Sequence, residues 1–316
     1  MPNVAVFGPN PLLTVAIERR PGKRDDDIHL HVGGQGVWVA RMAAELGANV
    51  TLCGFAGGET GALVGALLEQ LPGERRLTPT ASASGCYVVD RRQGERHLVG
   101  SQLTGPPSRH ELDDLFSATV AAALESDVLV VCNPFPGDLL PLEVYGALVS
   151  DVRENGVPVL VDLSTPRLDS ALAGTPDLVK LNDWELAEYV TGSVSRPDQM
   201  RAAATRISDA GAATVLVTRA AEPAYVLRED GEWLLTPPAF ARGVREGCGD
   251  SMMGAIAAAW AAGRDWRDAA MLGTAAGAAN YLRHGLGTGS RGVVEGLLDQ
   301  VELKSVARTE PRAAVR

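Results

Sequence analysis

The segment Gly247-Cys248-Gly249-Asp250-Ser251 places one carboxylate in a glycine-rich turn directly before a long apolar run. Two glycines allow the backbone to turn tightly, so that successive N–H groups point into one concavity. The small, apolar residues from Met252 to Trp260 predict a helix that begins at this turn. Because the first N–H groups of a helix have no intrahelical partner and carry the positive end of its dipole, the turn predicts an anion site.

Asp250 is a candidate general base within this anion site. A carboxylate repels the anion that such a site binds, so its presence there indicates a role in a reaction. It could take the proton of a hydroxyl group while neighbouring N–H groups hold a developing phosphoryl charge. The alternative is that Asp250 caps the helix, which is a common position for aspartate. The segment alone leaves both interpretations open.

Composition narrows the class of protein. The chain has 316 residues, of which 46% are hydrophobic, and a net charge of −10. This length allows one large α/β core with an appendage, or two domains, and the negative charge argues against nucleic-acid binding. The four scattered cysteines form no CxxC pair and predict reduced thiols in a cytoplasmic protein. No signal segment is evident and the apolar runs are shorter than a membrane span, so we expect no membrane association.

From residue 108 onward, helices and short apolar strands alternate. The strands are predicted at 128–131, 157–161, 178–180 and 214–217, and the helices near 109–125, 138–155, 183–190 and 198–210. Apolar strands joined by helical crossovers predict an α/β fold with a mostly parallel central sheet flanked by helices on both faces. A late hairpin over 224–235 predicts an antiparallel edge, and helices at 251–262 and 266–283 close the core. Ligands of such sheets bind beyond the carboxyl ends of the strands.

Two segments lie outside this alternation and predict a small β-sheet lid. They span about 12–32 and 82–103, and the second is typical of a hairpin around a charged turn. We therefore predict a single domain over 1–316 into which the lid strands are inserted. Exposed strand edges need covering, so we expect a homodimer through the lid. Arg96 in this lid could clamp a substrate phosphate, although a solvated hairpin turn is the simpler interpretation.

Polar residues occur where a predicted strand leads into a helix. Asn182 and Glu185 have the spacing of a capping box. They could also face the anion site and, through water, hold Mg²⁺ near phosphate oxygens, and both interpretations can be true. Asp162 ends a strand, which suits a ligand or metal role, but a surface acid is the alternative. Thr218 ends another strand and could offer its hydroxyl to a phosphate.

Lys180 is the only lysine between residues 23 and 304, and it also lies at a predicted strand end. It is a candidate for phosphate binding, or it simply balances Asp177 or Asp183. Gly33-Gly34-Gln35-Gly36 precedes a predicted helix, where glycines would allow a ligand to approach the helix N-terminus closely. A structural turn explains these glycines equally well.

Taken together, these segments resemble the PfkB carbohydrate kinases of the ribokinase-like superfamily over nearly the whole chain. Gly247-Cys248-Gly249-Asp250-Ser251-Met252 is similar to GAGDS[MF], Gly33-Gly34-Gln35-Gly36-Val37-Trp38-Val39-Ala40 to GGKGxNVA, and Leu178-Val179-Lys180-Leu181-Asn182-Asp183-Trp184-Glu185 to LVKPNxxE. The hexose-phosphate kinase subgroup is similar also at Asn10-Pro11, Pro134-Phe135-Pro136-Gly137 and Gly287-Thr288-Gly289.

The resemblance implies a ribokinase-like three-layer core and a reaction. ATP would bind along the late hairpin and the C-terminal helices with Mg²⁺, and Asp250 would deprotonate a hydroxyl of a sugar or sugar phosphate. The N–H groups of Gly247, Cys248 and Gly249 would form the anion hole. The implied substrate-binding residues are Thr14, Gly34, Gln35, Gly36 and Trp38, and the implied nucleotide-binding residues are Lys180, Asn182, Thr218, Gly249 and Asn280.

The chain departs from the family pattern mainly where the acceptor would bind. Thr14 replaces an acidic residue, Gln35 replaces the lysine of GGKG, and Trp38 replaces its asparagine. The base and the anion hole are retained, so an ATP-dependent kinase for an unusual sugar or sugar phosphate is our leading hypothesis. The alternatives are a ligand-binding or regulatory protein on the kinase fold, and a nucleoside kinase that stacks its acceptor base on Trp38.

Overall fold

Runs of apolar residues form the strands of a large sheet whose two faces are both covered. All five residues of Val128–Cys132 are buried, as a strand between two layers of helices requires. The computed structural model describes residues 1–94, 96–283 and 289–306. Residues 287 and 288 of the predicted Gly-Thr-Gly motif lie outside the described residues.

The strands and helices of the described residues follow in chain order. The strands are β1 (Asn3–Phe7), β2 (Leu12–Arg19), β3 (Asp26–Gly33), β4 (Asn49–Ala56), β5 (Glu74–Pro79), β6 (Cys86–Asp90), β7 (His97–Gln102), β8 (Val128–Cys132), β9 (Val159–Asp162), β10 (Leu178–Asn182), β11 (Thr214–Arg219), β12 (Glu222–Arg228), β13 (Gly231–Thr236) and β14 (Glu302–Ser305). The helices are α1 (Gln35–Glu45), α2 (Gly58–Leu68), α3 (Arg109–Leu124), α4 (Glu143–Glu154), α5 (Arg167–Leu172), α6 (Asp183–Tyr189), α7 (Pro197–Asp209), α8 (Cys248–Ala261), α9 (Trp266–Tyr281) and α10 (Arg291–Leu298).

The main sheet has ten strands in the order β14-β13-β12-β11-β10-β9-β8-β1-β4-β5. The pairs from β11 to β5 are parallel, whereas β12, β13 and β14 are antiparallel additions. Alternate residues of β1 serve different core clusters: Val4 and Val6 pack on the side of α1, α8 and α9, and Phe7 packs against Tyr145 of α4. The predicted α/β fold with a mostly parallel sheet between helical layers is therefore confirmed.

Several elements differ from the sequence-based expectation. The edge strands β5 and β14 were not predicted, because their polar sequences ERRLTP and ELKS lack the apolar run that marks a central strand. An edge strand needs pairing on one side only and tolerates such residues. The late hairpin is consequently covered by β14 rather than forming the edge itself. The helix predicted from 251 begins earlier, at Cys248.

The two segments predicted as a lid pair into a separate four-stranded sheet in the order β3-β2-β6-β7. Thr14 of β2 lies opposite His31 of β3 and Tyr87 of β6, so these three side chains share one face. Val15 lies opposite Leu30 and therefore belongs to the other face. In the described part of the chain, no helix combines the length and the apolar composition needed to cross a bilayer.

Helix α1 approaches strand β1 so closely that its first turn requires glycine. A Cβ atom on Gly36 would lie 2.5 Å from the Cα of Gly8, closer than two carbon atoms can pack. By contrast, a Cβ on Gly65 in α2 would have Leu77 as its nearest neighbour, at 4.0 Å. The glycines of the sequence motif at 33–36 thus set the distance between the first helix and the sheet.

These two glycines provide a matched test of the packing. We expect Gly36→Ala to lower the free energy of unfolding by about 1–3 kcal/mol, because the added methyl group overpacks a backbone contact. The control Gly65→Ala should raise it by about 0.5–1 kcal/mol, since alanine favours a helix interior. Urea denaturation of both variants measures the two changes. Equal stability of the variants would contradict the close approach of α1 and β1.

Candidate active site

The site lies where parallel strands of the main sheet end together. The register pairs Cys132 at the end of β8 with Asp162 at the end of β9, and Asn182 of β10 with Thr218 of β11. The carboxyl ends of these strands therefore bring polar residues to one edge, as the sequence predicted. The glycine turn that starts α8 closes over this edge.

Gly247 begins helix α8 in a left-handed conformation, with a φ of 79°, and no side chain caps this helix. Asp250 is the third helical residue, so the interpretation of Asp250 as the helix cap is wrong. Cys248 donates its N–H to the carbonyl of Arg245 at 3.3 Å. Among the described residues, the N–H groups of Gly247 and Gly249 donate to no backbone carbonyl. Two of the three predicted anion-hole donors are thus available to a ligand.

Lys180 lies directly beneath the turn in a buried ion pair. Its Nζ is 2.7 Å from Oδ2 of Asp162, with side-chain exposures of 6% and 2%. A Cβ on Gly249 would lie 2.6 Å from the same Nζ, so a side chain at this position would displace the ammonium group from beneath the turn. The alternative in which Lys180 balances Asp177 or Asp183 is wrong: Lys180 pairs with Asp162, while Asp177 pairs with Arg153 at 2.5 Å.

The carboxyl group of Asp250 is held in a strongly perturbed environment. Asp250 as a whole keeps some accessible surface, but its carboxyl group is buried. This burial and the nearby charge of Asp162 raise the pKa of Asp250 to about 7. Lys180 and a hydrogen bond from Gln35 oppose this rise. A carboxylate with a pKa near neutrality is matched to accepting a proton at physiological pH.

Asn182 and Glu185 form the predicted capping box at the start of α6. Glu185 donates its N–H to Asn182 Oδ1 at 2.9 Å, and Asn182 donates its N–H to Glu185 Oε2 at 2.8 Å. Burial and then the charge of Asp162 raise the pKa of Glu185. Glu185, Asp162 and Asp250 thus share one lysine, which leaves excess negative charge next to the cleft.

No group of three or more Asp, Glu, His or Cys side chains in the described ranges is arranged to hold a metal ion. Asp162, the weaker of the two predicted metal residues, is engaged by Lys180 and almost fully buried. Glu185 lies at the start of α6, near the cleft, and only one of its carboxylate oxygens, Oε2, accepts the capping hydrogen bond from Asn182. The donor set therefore fits a cation held through water, and it does not form a direct protein cage.

A cleft of about 590 Å³ opens beside the glycine turn, between the strand ends, the late hairpin and helices α8 and α9. Four of the predicted nucleotide-binding residues line it: Lys180, Asn182, Thr218 and Gly249. Asn280 does not: it is fully buried and donates to the carbonyl of Glu246 at 2.9 Å. Asn280 thus holds the segment that precedes the glycine turn and lies outside the cleft.

On the predicted acceptor side, strand β3 of the lid leads directly into helix α1. A Cβ on Gly33 would contact Thr14 Oγ1 at 3.4 Å and the indole of Trp38 at 3.8 Å, which places both predicted substrate residues under β3. Trp38 is only 5% exposed, and the Arg41 guanidinium lies 4.8 Å from its ring centre. Arg96 stays exposed in the lid, and its charge acts on the phenol of Tyr87.

The first helix and two loops complete the acceptor side. Gly34 precedes α1 with a φ of 103°, and a Cβ there would lie 3.2 Å from the carbonyl oxygen of Asn10. Asn10 exchanges two hydrogen bonds with the backbone of Phe135, one donated by Phe135 N–H at 3.0 Å. The motifs at 10–11, 33–36 and 134–137, which are distant in sequence, therefore meet at one place.

Sequence reasoning missed three residues of this region. Trp184 is 63% exposed and lines the cleft; its signal is an indole within an otherwise polar helix start. Asn133 follows β8 and binds Arg167, which is 9% exposed. The position of Asn133 at a strand end was the available signal, whereas nothing in the local sequence marks Arg167.

Known proteins resemble this chain closely enough to assign its family. A model of the pfkB family carbohydrate kinases matches residues 3–291. A 1-phosphofructokinase of Rhodobacter capsulatus is 30% identical over 251 residues, which cover 78% of this chain and 78% of that protein. ATP-dependent 6-phosphofructokinase isozyme 2 of Escherichia coli is 30% identical over 260 residues, which cover 80% of this chain and 82% of that protein.

Solved structures agree with this assignment. Phosphofructokinase-2 from Escherichia coli in complex with potassium superimposes with a TM-score of 0.83 at 26% identity, covering 95% of this chain and 99% of that chain. That enzyme has also been solved with fructose-6-phosphate and in a tetrameric inhibited form. The chain belongs to the pfkB family of carbohydrate kinases and has the ribokinase-like fold. It is a phosphotransferase that acts on a sugar hydroxyl.

The perturbed carboxyl group of Asp250 predicts a pH-dependent effect on stability. The folded-state pKa of Asp250, about 7, exceeds the pKa of the same group in the unfolded chain. The carboxyl group therefore contributes stability that is fully present below the unfolded-state pKa and is lost as the pH rises through about 7. We expect the stability advantage of Asp250→Asn over the wild type to grow by about 2–3 kcal/mol between pH 5 and pH 8.

Thermal and urea unfolding at both pH values measure this advantage. Asp114→Asn, on the exposed face of α3, is the matched control and should show no such change with pH. An Asp250→Asn advantage that is the same at pH 5 and pH 8 would show that the carboxyl group is not destabilised by its surroundings.

Proposed function

We propose that this pfkB-family member transfers the terminal phosphoryl group of ATP to a hydroxyl of a sugar phosphate, with Asp250 as the general base. The observation that carries this proposal is the position of the Asp250 carboxyl group. It directly follows Gly249, which lines the nucleotide-sized cleft, and it is buried with a pKa of about 7. A base at this point can take a proton from an acceptor on one side as phosphate arrives from the other.

The start of α8 supplies the electrostatic part of the reaction. The N–H groups of Gly247 and Gly249 face the site without backbone partners among the described residues, and the helix dipole adds positive charge. Burial opposes the charge of Lys180, but Asp162 and Asp250 raise its pKa, so the ammonium group stays protonated beneath the turn. Preorganised donors of this kind stabilise the charge that develops during phosphoryl transfer.

ATP fits the cleft next to the turn, where Lys180, Asn182, Thr218 and Gly249 would contact its phosphates. Glu185 is the residue that we assign to Mg²⁺, through water, because excess negative charge surrounds it and Asp162 is engaged by Lys180. When bound, this ion would neutralise charge on the phosphate oxygens. Asn280 contributes by supporting the segment before the turn.

The acceptor would bind under the lid, against Thr14, Gly34, Gly36 and Trp38, with Arg96 above them. The relatives act on fructose phosphates, and the Escherichia coli enzyme has been solved with fructose-6-phosphate. These relationships support a sugar phosphate as the substrate class. The four free cysteines support the expected reducing, cytoplasmic location.

Two observations bear on the alternative functions. Trp38 is 5% exposed with a guanidinium group over its ring, so it offers little open face for stacking a nucleoside base. A purely ligand-binding protein would have no use for a buried carboxylate that is poised near pH 7. Both observations favour the sugar-phosphate kinase over the nucleoside kinase and over the regulatory protein.

The role of Asp250 has a direct kinetic test. We expect Asp250→Asn to reduce kcat by about 10²–10⁴, the usual contribution of a positioned base, while ATP still binds in calorimetry. In the wild type, kcat/KM for the acceptor should fall as the pH drops below about 7, because the base becomes protonated. Asp114→Asn should keep wild-type kcat. Unchanged turnover of Asp250→Asn would remove this residue from the mechanism.

We further propose that the protein forms a homodimer through the lid. Val15, Ile17, Ile28, Leu30 and Val88 share the lid face opposite to Thr14, as their cross-strand register shows. Ile28 is 63% and Leu30 is 46% exposed. A sheet face of this composition suits burial against a second copy, and a relative has been solved as a tetramer.

A single charge on this face should prevent the association. We expect the wild type to show a dimer mass in light scattering and Leu30→Glu to show a monomer mass, because the charge would be buried unpaired in the interface. Leu63→Glu is the control, since Leu63 is 45% exposed on α2; it should remain dimeric. A wild-type protein that is monomeric at working concentration would contradict the proposal.

A further inference from the structure

Trp184 is an exposed indole in the wall of the nucleotide-sized cleft. It is the second residue of α6 and is 63% exposed, and it lines the cleft together with Lys180 and Asn182. A single exposed aromatic side chain is common on a protein surface. In a concave site with converging polar groups, however, an apolar surface that faces water is available to a ligand. Trp184 therefore has the position of a ligand-contacting residue, to which the proposed function has given no role.

The start of α6 holds the backbone of Trp184 in place. Asn182 and Glu185 exchange two hydrogen bonds on either side of it, and Trp184 donates its own N–H to Asp183 Oδ1 at 3.0 Å. Leu186 anchors the helix, since it is fully buried. Residues two apart on a helix point about 200° away from each other, so Trp184 projects from the side opposite to this anchor. The backbone that carries the indole is thus already ordered, which lowers the cost of binding a ligand.

Three other indoles of the chain have covered ring faces. A guanidinium group lies 4.8 Å from the ring centre of Trp38. The ring centres of Trp233 and Trp266 lie 4.6 Å apart, and Arg267 lies over both rings. In the part of the chain that the structure describes, no ring or guanidinium group packs on Trp184, and no group accepts its indole N–H. Both the face and the N–H donor of this indole are thus available to a ligand.

We propose that Trp184 is a nucleotide-binding residue: its indole covers ATP in the cleft, beside the phosphate groups that Lys180 and Asn182 would contact. The inference deepens the proposed function and rests on it for the identity of the ligand as ATP. An indole suits this role, because its face packs against a base or a ribose and its N–H donates to an oxygen atom. Phe240 after β13 and Tyr281 of α9 also line the cleft. Three elements therefore offer aromatic surface to one nucleotide.

The affinity for ATP provides the first test. We expect Trp184→Ala to raise the Kd of ATP with Mg²⁺ by about 5- to 50-fold in calorimetry, because it removes aromatic contact area. Trp184→Phe keeps a ring and should raise the Kd less than Trp184→Ala does. Leu124→Ala is the control, since Leu124 is 49% exposed at the end of α3 and is not among the residues that line the cleft; it should keep the wild-type Kd. A wild-type Kd in Trp184→Ala would overturn the proposal.

Tryptophan fluorescence locates the contact in the unaltered protein. All five tryptophans lie among the described residues, and only Trp184 is largely exposed, so acrylamide should quench mainly its emission. ATP should reduce this quenching in the wild type, because the nucleotide covers the indole. Trp184→Phe should bind ATP without such a reduction. Quenching that ATP leaves unchanged in the wild type, or a reduction that persists in Trp184→Phe, would reject the contact even if Trp184→Ala fails to fold.

Steady-state kinetics separate this inference from the proposed function. In Trp184→Ala the KM for ATP should rise while kcat at saturating ATP stays near the wild-type value, since the indole contacts the ground state and the transition state alike. A merely structural role would instead lower kcat and the free energy of unfolding. Protection of Trp184 by ATP in a protein without phosphoryl transfer would sustain the contact and reject the kinase function. An active kinase whose affinity for ATP is unchanged in Trp184→Ala would reject the role of Trp184 alone.

Discussion

The site depends on one buried positive charge that is shared among three acids. Lys180 pairs with Asp162 at 2.7 Å, and both Asp250 and Glu185 lie within reach of its field. Loss of one partner from a buried pair costs about 3–5 kcal/mol, because the other charge is left unpaired. The register of β9 and β10 must therefore keep these two charges in contact, and the glycine turn must lie at a distance that leaves room for the pair. Burial, and then the nearby charge of Asp162, raise the pKa of Asp250 within this group.

Close backbone contacts determine where the turn can lie relative to that charge. Gly249 allows the Lys180 ammonium group beneath the turn, and Gly36 allows α1 against β1. A Cβ on Gly254 of α8 would lie 2.4 Å from the carbonyl oxygen of Val39 in α1. The two helices that carry Gln35 and Asp250 thus pack backbone to backbone. Glycine at these positions therefore sets how closely the first helix approaches the glycine turn.

The changes in the acceptor region form a connected set in the structure. Trp38 fills space beneath Gly33 and is covered by Arg41, while Gln35 accepts a hydrogen bond from the backbone N–H of Asn133. These side chains make contacts within the protein that a lysine and an asparagine at the same positions would not make. Thr14, which we assign to the acceptor, shares its face of the lid with His31 and Tyr87.

The layered α/β fold, the lid and the glycine turn with its carboxylate could be predicted from the sequence, because apolar periodicity and short motifs are local properties of the chain. The capping box of Asn182 and Glu185 was predictable for the same reason. The partner of Lys180, the burial of Trp38 and Asn280, and the contact of Gln35 with Asn133 follow only from the three-dimensional arrangement. Asp162 and Lys180 are 18 residues apart and meet only through parallel strand register. Long-range electrostatics and packing depend on which strand ends become neighbours, and no local pattern of residues specifies that.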